Sequence, residues 1–147
     1  MNIEALEHPG EADFAALLAV WESSVRGTHD FLAEADIVAL RPQVREGLGA
    51  VPLWIARDPD GEIAGFAGFH GDMLEMLFVR EKSRGQGAGR ALVRRALDQG
   101  VTRVDVNEQN PQAVGFYQRM GFVVTGRSAL DGQGRPFPLL HMRLKPA

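Results

Sequence analysis

A chain of 147 residues with 45% hydrophobic side chains holds enough apolar material for one compact domain and too little for two independent ones. Its net charge of −3 comes without any lysine- and arginine-rich block, which argues against nucleic acid as a default partner. It has no cysteine, so disulfides, thiolate metal ligands and a covalent cysteine mechanism are excluded.

In chain order, residues 2–6 read as a short first strand. The stretch "HPGEADFAALLAVWESSV" then shows a turn followed by apolar residues at Phe14, Leu17, Leu18, Trp21 and Val25, a helical spacing. A second helix fits residues 34–47, with Pro42 inside it as a candidate break. Three strand-like runs follow, over 53–56, 63–69 and 73–79. They are separated by Asp-Pro-Asp-Gly and His-Gly-Asp, turn sequences that predict antiparallel hairpins. A helix is expected over 87–99, with Leu92, Val93, Ala96 and Leu97 facing inward. The alternating segment 101–108 follows it as a strand able to lie parallel to the run that ends at Val79.

Asn110 and Pro111 form an N-cap and a first helical residue, opening a helix through Met120 that stops at Gly121. Two last strands fit 122–129 and 137–144. The expected fold class is α/β (α+β), a mixed and mostly antiparallel sheet of six to seven strands with helices on both faces. The longest apolar run, residues 14–21, is far short of the roughly 20 residues of a membrane span. The acidic start is unlike a signal peptide, so a cytoplasmic protein without membrane contact is expected.

The chemistry concentrates in "SRGQGAGRALV", residues 83–93. Three alternate glycines directly before a helix permit positive φ and close approach to the backbone. Unpaired amides at a helix start favour an anion, usually phosphate. Gly85, Gly87 and Gly89 occupy the first, third and fifth positions, so the dinucleotide spacing fails although Asp105 lies 20 residues after Gly85. The Lys-Ser or Lys-Thr of a nucleoside triphosphate loop is missing as well.

What remains, Arg84-x-x-Gly87-x-Gly89 between an apolar strand and a helix, resembles the pyrophosphate loop of the GNAT family, the Gcn5-related N-acetyltransferases. "NEQNPQAVGFYQRMGF" (107–122) resembles that family's second signature, an asparagine opening a helix with an aromatic pair and a Gly-Phe after it. The resemblance spans residues 51–122. It implies the GNAT fold, acetyl-coenzyme A as co-substrate and a primary amine as acceptor. It places the coenzyme on Leu77, Phe78 and Val79 at the strand end, on Arg84, Gly85, Gln86, Gly87, Ala88, Gly89 and Arg90 in the loop, and on Asn110, Ala113, Phe116 and Tyr117 in the later helix.

Transfer to an amine needs a base, a polarised carbonyl and an acid for the departing thiolate. By resemblance Tyr117, the only tyrosine, is the acid. Phe78 and Val79 contribute backbone, an amide there polarising the carbonyl; their side chains are equally expected in the core. Glu75, in "MLEMLFV", is a candidate base or a solvent-facing strand residue. His29 is its rival, and Asn107 is a candidate to orient the amine or a water. Asn110 reads as an N-cap and as a coenzyme contact. Without a serine elbow or a cysteine, direct attack in a ternary complex is expected.

The four histidines show no ligand spacing, so no metal is expected. Trp21 and Trp54 are expected in the core, and the segments 26–33 and 128–138 around the acceptor. Protein lysines, N-termini and small amines all stay open as acceptors, as do monomer and homodimer. A coenzyme-binding sensor or an interaction module is the non-catalytic alternative.

Overall fold

The computed structural model describes residues 1–28 and 31–146. Strand β1 (Asn2–Leu6) is followed by helices α1 (Glu11–Thr28) and α2 (Glu34–Leu48), then by strands β2 (Leu53–Arg57), β3 (Ile63–His70) and β4 (Met73–Val79). Helix α3 (Ala88–Asp98), β5 (Arg103–Asn107), α4 (Pro111–Arg119), β6 (Phe122–Ser128) and β7 (Leu139–Leu144) complete it. The strands form one seven-stranded sheet in the order β1-β2-β3-β4-β5-β7-β6. Strands β1–β4 are antiparallel throughout; the two turn sequences account for the meander β2–β4, while β1 joins β2 across the two helices. Among the described residues no helix is long and apolar enough to cross a membrane.

Helices cover the two faces of the sheet at different places. Leu17, Trp21, Val25 and Ile37 of α1 and α2 bury against Leu53, Ile55 and Phe66 on one face. Leu92, Val93 and Ala96 of α3 and Tyr117 of α4 bury against Ala67, Leu74, Val104 and Met142 on the other. Trp21 is buried; Trp54 is partly buried and stacks on Phe69.

One local expectation is corrected. Pro42 does not split α2, which runs unbroken through it. Proline removes the bond to the carbonyl four residues back, here that of Val38. Both Val38 and Pro42 are solvent-exposed, so the missing bond falls on the outer side of the helix.

The feature that positions the site is the junction of β4 and β5. They pair in parallel only at Met73↔Arg103 and Leu74↔Val104. Beyond these pairs the strands diverge, while β5 stays fully paired to β7 on its other edge. The remainder of β4, from Glu75 to Val79, therefore borders a gap in the middle of the sheet.

Candidate active site

A β-bulge sets the direction of every side chain along that gap. Gly68 pairs with Met76 and Phe69 with Leu74, so Glu75 has no partner on β3. An unpaired residue shifts the side-chain alternation by one. Leu74 accordingly buries with the α3 and α4 core, whereas Met76 and Phe78 pack toward α1 and α2. Glu75, the bulged residue, is exposed and lines the gap, a cavity of about 140 Å3 that also meets Asp105 and Asn107 of β5 and Tyr117 of α4. Among the described residues the Glu75 carboxylate has no hydrogen-bond or ion-pair partner.

A larger cleft of about 620 Å3 opens onto the same place, sharing Leu77, Phe78, Asn110, Ala113 and Tyr117 with the gap. Its far end is the start of α3. Gly87 is the N-cap, at φ 90°, and Gly85 stands at φ 78°. A Cβ at either would meet nothing within 4 Å; the backbone conformation, not crowding, demands glycine there. Gly87 has no side chain to cap the helix, and the first bond made to it comes from the Ala91 amide at 3.0 Å. The amides of Ala88, Gly89 and Arg90 are left at the positive end of α3, with Arg84, Arg90 and Arg119 lining the same cleft. That combination suits a diphosphate.

The entry to the loop is clamped. Arg80, directly after β4, donates to Asp58 at 2.5 Å, to Glu62 at 2.7 Å and to the Ser83 hydroxyl at 2.5 Å. Its side chain is 14% exposed and that of Asp58 9%. Burial opposes ionisation of Asp58, but the amides of Glu62 and Asp60 and the Arg80 guanidinium outweigh it and hold the carboxyl below its ordinary range. The β2–β3 turn is thereby tied to the glycine loop.

Tyr117 is 6% exposed and its ring is fixed by edge contacts with Phe116 at 5.1 Å and Phe122 at 5.7 Å. Among the described residues its hydroxyl makes no hydrogen bond, yet no buried side-chain polar atom there is left unsatisfied. The hydroxyl therefore opens into the cavities that the residue lines. Burial pushes the phenol well above its ordinary value, so it holds its proton at neutral pH. Asn110 is buried and accepts from the Ala113 amide at 3.2 Å, the capping geometry expected before Pro111.

The residues singled out from the sequence largely converge. Leu77, Phe78, Val79, Arg84, Gly85, Gly87, Ala88, Gly89, Arg90, Asn110, Ala113, Phe116 and Tyr117 all line the cleft, and Glu75 and Asn107 the gap. Phe78 turns its ring onto Phe66 at 5.7 Å, leaving its backbone to the cleft. Gln86 is the exception: it is exposed, off the cleft wall, with its amide turned back onto the Ser83 carbonyl at 3.3 Å. His29 lies outside the described residues. Thr28, from the segment 26–33, and Ser83, which opens the glycine stretch, also line the cleft, as does Ser24 of α1; only Ser24 was not anticipated, since it arrives by a long-range contact with no local signal. Phe31 and Phe137 meet at 6.0 Å, joining the two segments expected around the acceptor. Among the described residues no group of side chains could hold a metal ion.

Residues 30–145 match the family described as Acetyltransferase (GNAT) domain. A relative in Salmonella typhimurium, named Peptidyl-lysine N-acetyltransferase YjaB, is 47% identical over 86% of this chain and 88% of its own. The solution structure of apo YjaB from Escherichia coli superposes with a TM-score of 0.88 at 40% identity, covering 99% of this chain and 98% of that one. The PaiA N-acetyltransferase from Thermoplasma acidophilum, solved in complex with coenzyme A, shares the fold at a TM-score of 0.72 and 19% identity, covering 99% of this chain and all of that one.

Proposed function

Because the chain belongs to the GNAT family and is an acetyl-coenzyme A-dependent N-acetyltransferase, we propose that it acetylates lysine side chains of proteins through the gap between β4 and β5. The observation that carries this reading is that the cleft at the bare amides of α3 and the gap walled by Glu75 and Tyr117 share Leu77, Phe78, Asn110, Ala113 and Tyr117 as lining residues. The lysine acceptor follows the relatives' name, and the two carboxylates of the gap suit a cationic amine.

The residues present fit the coenzyme. Positive-φ glycines with open space beside them and free helix-start amides would hold the diphosphate. The edge of β4 from Leu77 to Val79, released from β5, offers backbone groups to an extended pantetheine arm in the manner of an added strand. An amide of that edge polarises the thioester carbonyl.

A lysine amine is almost wholly protonated at neutral pH, its ordinary pKa being about 10.4. Glu75 takes that proton, directly or through one water. The free amine attacks the thioester carbon, the C–N bond forms and the C–S bond breaks. Tyr117 gives its hydroxyl proton to the departing sulfur, and the proton that the acylated nitrogen sheds restores the phenol directly or through water. Asn107, at the end of β5, orients the incoming amine, and the protein forms no acyl intermediate.

The test is calorimetry with coenzyme A followed by thiol release with a peptide bearing one free lysine. Binding and turnover support the reading; binding without transfer to any amine contradicts it.

A further inference from the structure

Beyond the residues used above, three side chains on neighbouring strands form a hydrogen-bonded line on the sheet face opposite α3 and α4. His141 of β7 stands opposite Asp105 of β5, with Nδ1 2.6 Å from Asp105 Oδ1. Its Nε2 lies 2.7 Å from the Ser128 hydroxyl at the end of β6. Val104 and Val106 bury under α3 and α4, so alternation turns Asp105 to the other face. There the side chains of Asp105 and His141 remain 36% and 37% exposed. A carboxylate against Nδ1 fixes a proton on that nitrogen, and the hydroxyl completes the ring's second bond.

Resting on the reading just given, we infer that Asp105 receives the ammonium group of the acceptor, with His141 and Ser128 as its positioning residues. Asp105 lines the gap together with Glu75 and Tyr117. One of its oxygens is held by His141, and the other has no hydrogen-bond partner among the described residues. Its neighbour Arg103 is committed to Asp72 at 2.8 Å and reaches Asp105 and Glu75 only through space. The gap thus presents two carboxylates that no lysine or arginine among the described residues neutralises at contact distance.

A carboxylate pair alone would be a solvated surface. Here it faces a tyrosine that is 6% exposed and whose hydroxyl makes no hydrogen bond among the described residues. Tyr117 belongs to α4, on one side of the sheet, and Asp105 points to the other, so the gap connects them through the sheet. The acceptor that fits is a primary alkylammonium entering from the Asp105 face, opposite the α3 and α4 side. Asp105 binds it as a cation, and Glu75 then takes the proton.

The experiment measures acetylation of a single-lysine peptide, with coenzyme A calorimetry in parallel, for the wild-type protein and three variants. Asp105→Asn keeps an acceptor for His141 but removes the charge; it should raise KM for the peptide at least tenfold, with kcat and the KM for acetyl-coenzyme A changed less than threefold. His141→Ala should raise the peptide KM in the same direction, and His141→Asn, which can keep a donor toward Asp105, should recover most of it. An unchanged peptide KM in Asp105→Asn overturns the inference while leaving the acetyltransferase reading in place. So does a wild-type protein that binds the coenzyme but ignores the peptide and acetylates only an uncharged amine. Absence of coenzyme binding would overturn both.

Discussion

Glu75 and Tyr117 wall one gap from different elements, the first as the bulged residue of β4 and the second from the last turn of α4. Neither side chain is hydrogen-bonded to another described residue. A carboxylate able to take a proton and a phenol able to give one thus face a single space, which adjoins the cleft that begins at the start of α3.

Tyr117→Phe should separate chemistry from folding. A general acid typically supplies about 10²–10⁴ in rate, so kcat should fall by about 10² or more with the KM for acetyl-coenzyme A nearly unchanged. The hydroxyl has no protein partner among the described residues, so urea unfolding should move by less than about 1 kcal/mol. Steady-state thiol release and a denaturation curve on the same preparation check both.

Glu75→Gln should lower kcat by about 10² at neutral pH and leave coenzyme affinity intact, since Glu75 lines the gap and not the larger cleft. An amine acceptor that is already neutral at the assay pH should lose much less. Comparing a lysine peptide with an acceptor of low amine pKa, in the same variant, measures that difference.

The loop glycines should respond differently from one another. At Gly87, φ 90° makes any L-residue strained, and Gly87→Ala should cost about 1–2 kcal/mol. At Gly89 a Cβ would meet Phe116 and Val79 only at 3.6 Å, ordinary contact inside a helix. Gly89→Ala should therefore be neutral or stabilising by up to about 1 kcal/mol, yet weaken coenzyme binding in the cleft that Gly89 lines. Calorimetric affinity read beside thermal unfolding tests the split.

Asp58 should give the fold part of its acid sensitivity. Its folded pKa is depressed, so its contribution is present above the ordinary carboxylate value of about 4 and disappears as pH falls through the lower folded value. Asp58→Asn should lower the melting midpoint at pH 7, and the difference from wild type should shrink as the pH falls from about 4 through the lower folded value. A difference independent of pH would refute the assignment.

Local signals carried much of the architecture. The Asp-Pro-Asp-Gly and His-Gly-Asp turns gave the meander, Asn110-Pro111 and Gly121 bounded α4, and the spacing of Gly85, Gly87 and Gly89 pointed to the anion site. Long-range relationships were not legible in the same way. The insertion of β7 between β5 and β6 depends on strand pairing, which leaves no periodic mark. The bulge that leaves Glu75 unpaired depends on register with β3. The line from Asp105 through His141 to Ser128 joins three strands distant in sequence, and no spacing encodes it.

The most direct test of the account is a backbone amide NMR titration with coenzyme A. The expected result is that the amides of Ala88, Gly89 and Arg90 shift with one affinity, together with those of Leu77 to Val79 and the region around Tyr117. Saturable binding that leaves the start of α3 unshifted, or no binding at all, would contradict the placement of the diphosphate and, with it, of the thioester in the gap.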